Sequence, residues 1–186
     1  LERLVGLAEG LGLRLDITGL GCYRKADVPA WYDALPEEGR WEAQAVFWEA
    51  VALRCAGRPG ILFYDLMNEP VSPAGSRSPG DWLGPPFAGL CFVQMISLEQ
   101  GGRPRDEIAR RWIRRLSEAI RRRDRDHAIT VGLVDWSLDR PGLTSGFVPS
   151  EIAGDLDFLC VHIYPEKGKV GSALATLRAF AAAGKP

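Results

Sequence analysis

A carboxyl group and an amide stand side by side directly after a short apolar run, in the segment YDLMNEP at positions 64–70. A carboxyl group enclosed by apolar walls, or beside a second carboxylate, keeps its proton to higher pH and can act as an acid near neutrality. Asn68 can hydrogen-bond a hydroxyl beside the reacting centre, and Pro70, with its fixed φ and no N–H, turns the chain out of the run. The pattern favours an acid or base role for Glu69; the alternative is a charged loop residue or a charge at the start of a helix.

The elements that must position these groups alternate between helix and strand. Apolar residues at helical spacing predict helices at residues 1–11, 40–56, 104–124 and 172–183. Short, mostly apolar runs predict strands at residues 13–18, 61–67, 128–134 and 156–164. The connecting segments are predicted as loops at residues 19–38, 71–102 and 135–154, the second of them with a short helix near 92–98.

This alternation predicts right-handed βαβ units around a parallel sheet, and therefore an α/β fold. Two architectures contain such units: the (β/α)8 barrel and the open doubly wound sheet. The open sheet usually carries a glycine-rich phosphate turn, and no G-x-G-x-x-G or G-x-x-x-x-G-K follows a predicted strand here. The long loops follow the strand C-termini, where barrel enzymes keep their active sites. We therefore expect a partial (β/α)8 TIM barrel, with residues 1–186 as a single incomplete catalytic domain.

Composition and charge narrow the class of protein. The 186 residues carry a formal net charge of −1, which gives no electrostatic reason to expect nucleic-acid or anionic-membrane binding. No apolar run is long enough to span a bilayer, and no signal peptide is visible. Because residue 1 is Leu, we expect the natural N-terminus to lie outside this sequence, which leaves the compartment open. The four cysteines form no C-x-x-C pair, so no zinc or thioredoxin-like motif is expected; buried thiols are favoured, and a disulfide is the alternative.

Three motifs together resemble glycoside hydrolase family 5, the cellulase-like group of the (β/α)8-barrel enzymes. Asn68-Glu69-Pro70 is similar to the acid/base motif that ends the fourth strand of that family. His162-Ile163-Tyr164 is similar to the His-x-Tyr that ends its sixth strand, and Gly184-Lys185-Pro186 to the lead-in to its seventh. The resemblance implies that the chain covers strands three to six, without the first two and last two strands.

The resemblance also implies a retaining mechanism, in which one carboxyl protonates the leaving oxygen while another attacks the anomeric carbon. Glu69 is then the acid and afterwards the base, and the nucleophilic glutamate lies just beyond Pro186. His162 is expected to contact a sugar hydroxyl or to tune the carboxylates, and Tyr164 to hydrogen-bond the nucleophile. The alternatives are a core histidine and a packing tyrosine. The implied partner is an oligo- or polysaccharide, typically a β-linked glucan or mannan.

Aromatic residues in the loops after the strands offer faces on which a sugar can stack. Trp82 and Trp136 follow the second and third predicted strands, and we expect both to bind substrate; the alternative is loop packing. One departure from the family is the run Asp16-Ile17-Thr18, where many members carry a histidine, and Thr18 is given no role.

Two other functions compete with the glycosidase. A metal-dependent barrel hydrolase would use Asp16, Glu69 and His162 as ligands, but no H-x-H or H-E-x-x-H spacing supports a metal site and no cofactor is expected. A barrel-derived carbohydrate-binding protein would lack the second carboxylate. The arginine-rich run at 110–125 shares a helix with an apolar stripe and is interpreted as a solvated outer helix rather than a nucleic-acid site. The 186 residues alone are expected to be inactive, with exposed edge strands that favour association.

Overall fold

The computed structural model describes residues 1–138 and 144–184. Its helices and strands follow one another along the chain in this order: α1 (Glu2–Gly10), β1 (Leu15–Thr18), α2 (Ala30–Asp33), α3 (Glu37–Cys55), β2 (Ile61–Asn68), β3 (Pro70–Val71), β4 (Gln94–Met95), α4 (Arg105–Arg121), β5 (Ala128–Val134), α5 (Pro149–Ile152), β6 (Cys160–His162) and α6 (Val170–Ala183). Short 3-10 turns lie at Lys25–Asp27, Asp135–Ser137 and Ala153–Asp155.

The main sheet has four parallel strands in the order β1-β2-β5-β6. Each long strand therefore pairs with the next long strand along the chain. A doubly wound sheet reverses its strand order at a switch point, whereas a barrel adds strands in one direction. The sheet thus grows as a barrel does, and the expected partial (β/α)8 architecture is confirmed.

The helices cover one face of this sheet. Tyr64 and Leu66 of β2 are fully buried on that face, and the Tyr64 ring meets Trp48 of α3 at a centroid distance of 5.8 Å. The apolar residues at helical spacing in α3 and α4 face the sheet, and Trp48 and Trp112 among them are each 0% exposed. Burial of each large apolar side chain contributes roughly 1.5–3 kcal/mol, so these indoles anchor the helices to the sheet.

The arginines of α4 pair with acidic residues from neighbouring elements. Arg115 binds Glu38 and Glu42 of α3, and Arg123, which follows the end of α4, binds Glu49 of α3. These pairs join the exposed sides of two adjacent outer helices, and exposed pairs of this kind contribute about 0–1 kcal/mol each. The interpretation of residues 110–125 as an outer helix agrees with this packing.

The predicted elements differ from the observed ones in two places. The predicted helix at 92–98 is wrong: Gln94–Met95 forms β4, which pairs in parallel with Pro70–Val71. Gln94, Met95 and Ile96 are all buried there, because the loop folds back onto the strand ends and not into solvent. The last strand is shorter than predicted, since Leu156 directly follows a 3-10 turn and pairing begins only at Cys160.

The remaining expectations are met in outline or lie outside the described residues. Helix α3 begins at Glu37 rather than at residue 40, with Pro36 before its first turn and two glutamates near its positive end. The loops at 19–38 and 135–154 contain the short helices α2 and α5. Lys185 and Pro186 of the lead-in to the expected seventh strand lie outside the described residues.

Candidate active site

Glu69 directly follows β2, at the carboxyl end of the sheet. Its φ of +48° is in the left-handed region, where a residue with a side chain is strained. Two backbone contacts hold it there: its N–H donates to the carbonyl of Gly132 at 2.9 Å, and its carbonyl accepts from the N–H of Gln94 at 3.3 Å. Since the Glu69 side chain is only 10% exposed, the strand end presents a nearly enclosed carboxyl group.

His162 and Tyr164 converge on one oxygen of Glu69. The Nδ1 atom of His162 lies 3.1 Å from Glu69 Oε1, and the hydroxyl of Tyr164 donates to the same oxygen at 3.4 Å. Within residues 1–138 and 144–184, Glu69 Oε2 accepts no hydrogen bond. One oxygen is therefore held by donors, while the other is available to a ligand. Tyr164 is 78% exposed, so it lies at the rim of the site.

The charge of His162 follows from its neighbours. Hydrogen bonds with Cys160 and Glu69 raise the pKa of His162 to about 10, against the opposing effect of burial. The imidazole is therefore a cation at neutral pH. The pKa of the Tyr164 hydroxyl is also raised, by burial and by the negative charge of Glu69, so this group stays protonated and donates.

Asp65, which the sequence reasoning left without a role, lies beneath this group. Its Oδ1 accepts from the N–H of Gly132 at 2.8 Å and its Oδ2 from the hydroxyl of Thr18 at 3.1 Å. Burial, and then the charge of Asp16, raise the pKa of Asp65 to about 6. The signal for Asp65 was visible in the sequence, because it is the one charged residue in the otherwise apolar run 61–67.

Asn68 is turned toward the loop that follows β2. Its Nδ2 donates to the carbonyl of Phe92 at 3.1 Å. The expected contact between Asn68 and a substrate hydroxyl stays a prediction. Phe92 pairs with Tyr23 at a centroid distance of 5.7 Å, and the two rings are 37% and 38% exposed. Sequence reasoning missed this aromatic pair, because it forms between two loops that no local pattern connects.

The two tryptophans predicted to bind substrate have different environments. Trp82 is 2% exposed, the guanidinium of Arg40 lies 4.3 Å from its ring centroid, and its Nε1 donates to the carbonyl of Asp33. It borders a cavity of about 600 Å³ that Glu69 does not line. Trp82 is therefore largely covered by packing in this structure, and its substrate role stays a prediction. Trp136 is half-buried beside the cluster of Val71, Trp82 and Met95, and its substrate role stays a prediction.

In the described ranges, no group of three or more His, Cys, Asp or Glu side chains is arranged to hold a metal ion. Among the helices of the same ranges, none combines the length and the apolar character needed to cross a membrane.

The chain thus has the fold of a partial parallel barrel with a carboxyl group at the end of one strand. Residues 23–176 match the model of the cellulase family, glycosyl hydrolase family 5. Because the match extends over more than half of the 186 residues, the chain belongs to this family. A comparison with curated protein sequences gave no match.

Solved structures with the same fold are distant in sequence. A GH5_18 protein from Streptomyces cattleya in complex with Manβ1-4GlcNAc is 19% identical with a TM-score of 0.62, over 92% of this chain and 38% of its own. The GH5_18 complex with GlcNAc is 21% identical with a TM-score of 0.59, over 87% and 35%. A GH10 xylanase from termite gut is 15% identical with a TM-score of 0.53, over 98% and 40%. The chain thus spans about two fifths of the length of these structures.

Proposed function

We propose that the protein is a retaining glycoside hydrolase in which Glu69 is the acid/base. The observation that carries the proposal is the arrangement of this carboxyl group: it lies nearly buried at a strand end, with two donors on Oε1 and Oε2 left open. Membership of glycosyl hydrolase family 5 supports the reaction class.

The proposed reaction has two steps. In the first, Glu69 gives its proton to the glycosidic oxygen while a second carboxylate attacks the anomeric carbon, so that the aglycone leaves and a glycosyl–enzyme ester forms. In the second, Glu69 takes a proton from a water molecule, which attacks the same carbon and releases the sugar. Retaining enzymes hold the two carboxyl groups about 5–5.5 Å apart. We place the second carboxylate on a strand that follows α6, beyond Pro186.

The hydrogen bonds from His162 and Tyr164 to Glu69 Oε1 are consistent with this two-step reaction. A hydrogen bond to a carboxylate stabilises its charged form, which is the form that Glu69 needs in the second step. Because His162 and Tyr164 occupy Oε1, the proton is given and taken at Oε2, on the side open to substrate. The cationic His162 then offsets the charge that Glu69 acquires when it releases its proton.

The proposed substrates are β-linked glucans or mannan-type glycans. Asn68 is proposed to bind a hydroxyl near the cleaved bond, and Trp136 to stack on a sugar ring. The Manβ1-4GlcNAc in the Streptomyces cattleya complex belongs to this chemical class, and it guides the choice of test substrates.

The test compares the wild-type product of the complete gene with Glu69→Gln on aryl β-glycosides of poor and good leaving-group ability. Loss of a general acid typically costs about 10²–10⁴ in rate. We expect a loss of this size in kcat/KM for the poor leaving group. For the good leaving group we expect a fast first step, followed by slow release of the sugar, because the first step then needs no proton.

Glu118→Gln is the matched control, since Glu118 is exposed on the outer helix α4 and the substitution makes the same change of charge. Equal activity of Glu69→Gln and the wild type on both substrates would reject Glu69 as the acid/base. Absence of hydrolysis by the wild type, with retained glycan binding, would instead indicate a carbohydrate-binding protein.

A further inference from the structure

Asp65 is a buried carboxylate that the proposed reaction does not use. It lies in β2, four residues before Glu69, and is 4% exposed. A charge placed among apolar side chains destabilises the fold unless its oxygens are hydrogen-bonded. Both oxygens of Asp65 are satisfied, one by the N–H of Gly132 and the other by the hydroxyl of Thr18. The carboxylate therefore ties β2 to the strand on either side.

Gly132 connects Asp65 to the backbone of Glu69. The Gly132 N–H donates to Asp65 at 2.8 Å, and the Gly132 carbonyl accepts from the N–H of Glu69 at 2.9 Å. The register between β2 and β5 shifts between Asp65 and Asn68, so the main-chain ladder is irregular at this point. The Asp65 side chain supplies the acceptor for Gly132 within the irregular stretch. It thereby fixes the point at which Glu69 leaves the strand.

The same glycine connects Asp65 to His162. A Cβ atom on Gly132 would lie 2.8 Å from both Cε1 and Nε2 of His162 and 3.3 Å from Oδ2 of Asp65. The imidazole and the carboxylate thus share the space that the missing side chain leaves. Nδ1 of His162 faces Glu69, and the adjoining Cε1–Nε2 edge of the ring is turned toward Gly132.

The titratable side chains near His162 belong to three strands and the residues that follow them. The titratable side chains around it are these: Asp16 from β1, Asp65 and Glu69 from β2 and its end, and Cys160 and Tyr164 from β6 and its end. The charges of Asp65 and Asp16 each interact favourably with the imidazolium. With a pKa of about 6, Asp65 is ionised at neutral pH and contributes to this attraction.

We propose that Asp65 is a positioning residue: through Gly132 it holds the backbone of Glu69 and the ring of His162, and its carboxylate is a further counter-charge to that ring. The effect on rate rests on the proposed role of Glu69. The effect on the charge of His162 does not.

The test uses Asp65→Asn in the product of the complete gene. Asparagine keeps an oxygen for the Gly132 N–H and can donate to the Thr18 hydroxyl, so the variant removes the charge and retains the shape. By NMR of the imidazole nitrogens, we expect the His162 titration midpoint to fall by about one pH unit, because an opposite charge has been removed. We expect kcat to fall about tenfold with KM little changed, because the misplaced group is not one that binds substrate.

Glu118→Gln again serves as the control and is expected to leave the His162 midpoint in place. A folded Asp65→Asn protein with an unchanged midpoint would overturn the proposal. If Asp65→Asn does not fold, Thr18→Val removes one hydrogen bond from the same carboxylate. Its expected effect is to raise the pH at which Asp65 titrates, which the His162 resonances report, and the absence of this change would also overturn the proposal.

The two proposals fail separately. If Glu69→Gln is as active as the wild type, the acid/base assignment is rejected, while the His162 midpoint still decides whether Asp65 sets the charge of the imidazole. If Glu69→Gln is inactive and the midpoint is unchanged in Asp65→Asn, the reaction stands and the role of Asp65 is rejected.

Discussion

The helix-covered face of the sheet and its carboxyl-terminal edge are stabilised by different kinds of contact. On the covered face, Leu66, Val131 and Leu133 are 0% exposed and lie among the apolar side chains of α3 and α4. At the edge, Glu69 and His162 depend on hydrogen bonds to one or two named partners. Apolar packing is non-directional and tolerates residues of similar volume, whereas hydrogen bonds require a particular atom at a particular place. Substitutions on the face should therefore change stability, and substitutions at the edge should change rate.

The largest expected effect is on the covered face. Trp112→Ala should lower the free energy of unfolding by about 3–5 kcal/mol, because it leaves a cavity and removes the hydrogen bond from Trp112 Nε1 to Gln44. Urea denaturation of the complete gene product measures this, and kcat per folded molecule should stay near the wild-type value. Trp31→Ala is the control, since Trp31 is 64% exposed and its loss should cost about 0.5 kcal/mol or less. Equal losses for the two variants would contradict the comparison.

The second largest effect is a loss of rate at the carboxyl-terminal edge of the sheet. Gly132→Ala places a methyl group 2.8 Å from the His162 ring, so the ring must shift from the position in which it binds Glu69. We expect kcat to fall by up to about 10²-fold, with a loss of stability of about 1–3 kcal/mol. Steady-state kinetics and urea denaturation on the same samples separate the two. Gly154→Ala is the control, because nothing lies within 4 Å of its Cβ position. Unchanged kcat in Gly132→Ala would show that the position of His162 does not govern the rate.

The smallest effect is a pH-dependent contribution of His162 to the stability of the fold. The pKa of His162 is about 10 in the folded protein against an ordinary value of 6.5, so its protonated form stabilises the fold. This stabilisation is fully present below about pH 6.5 and is lost as the pH rises through about 10. The wild type should therefore be more stable than His162→Gln at pH 6, and the difference should shrink toward pH 10. Thermal melts across this range measure it, and a constant difference would contradict the proposed charge.

The helix-covered face of the sheet was predictable from local sequence patterns, whereas the contacts at its carboxyl-terminal edge were predictable only in part. The stripes of α3 and α4 and the strand at 128–134 follow from local periodicity, because burial on one face requires apolar residues at regular spacing. Glu69, His162 and Tyr164 meet as the motifs indicated, because parallel strands bring their carboxyl ends to one edge. The burial of Trp82 was not predictable, because an aromatic residue in a loop has the same sequence pattern whether it is exposed or packed under Arg40.

The sequence by itself determined the order of elements, the parallel sheet and the strand end that carries Glu69, since these depend on patterns within a few turns or one strand. Only the tertiary structure decided which atoms surround that carboxyl group. The left-handed backbone of Glu69 and the two donors on its Oε1 depend on residues 25 to 95 positions away along the chain. The pairing of Asp65 with Gly132 spans 67 positions. Such contacts leave no periodic signal, because each is a single hydrogen bond between strands that only folding brings together.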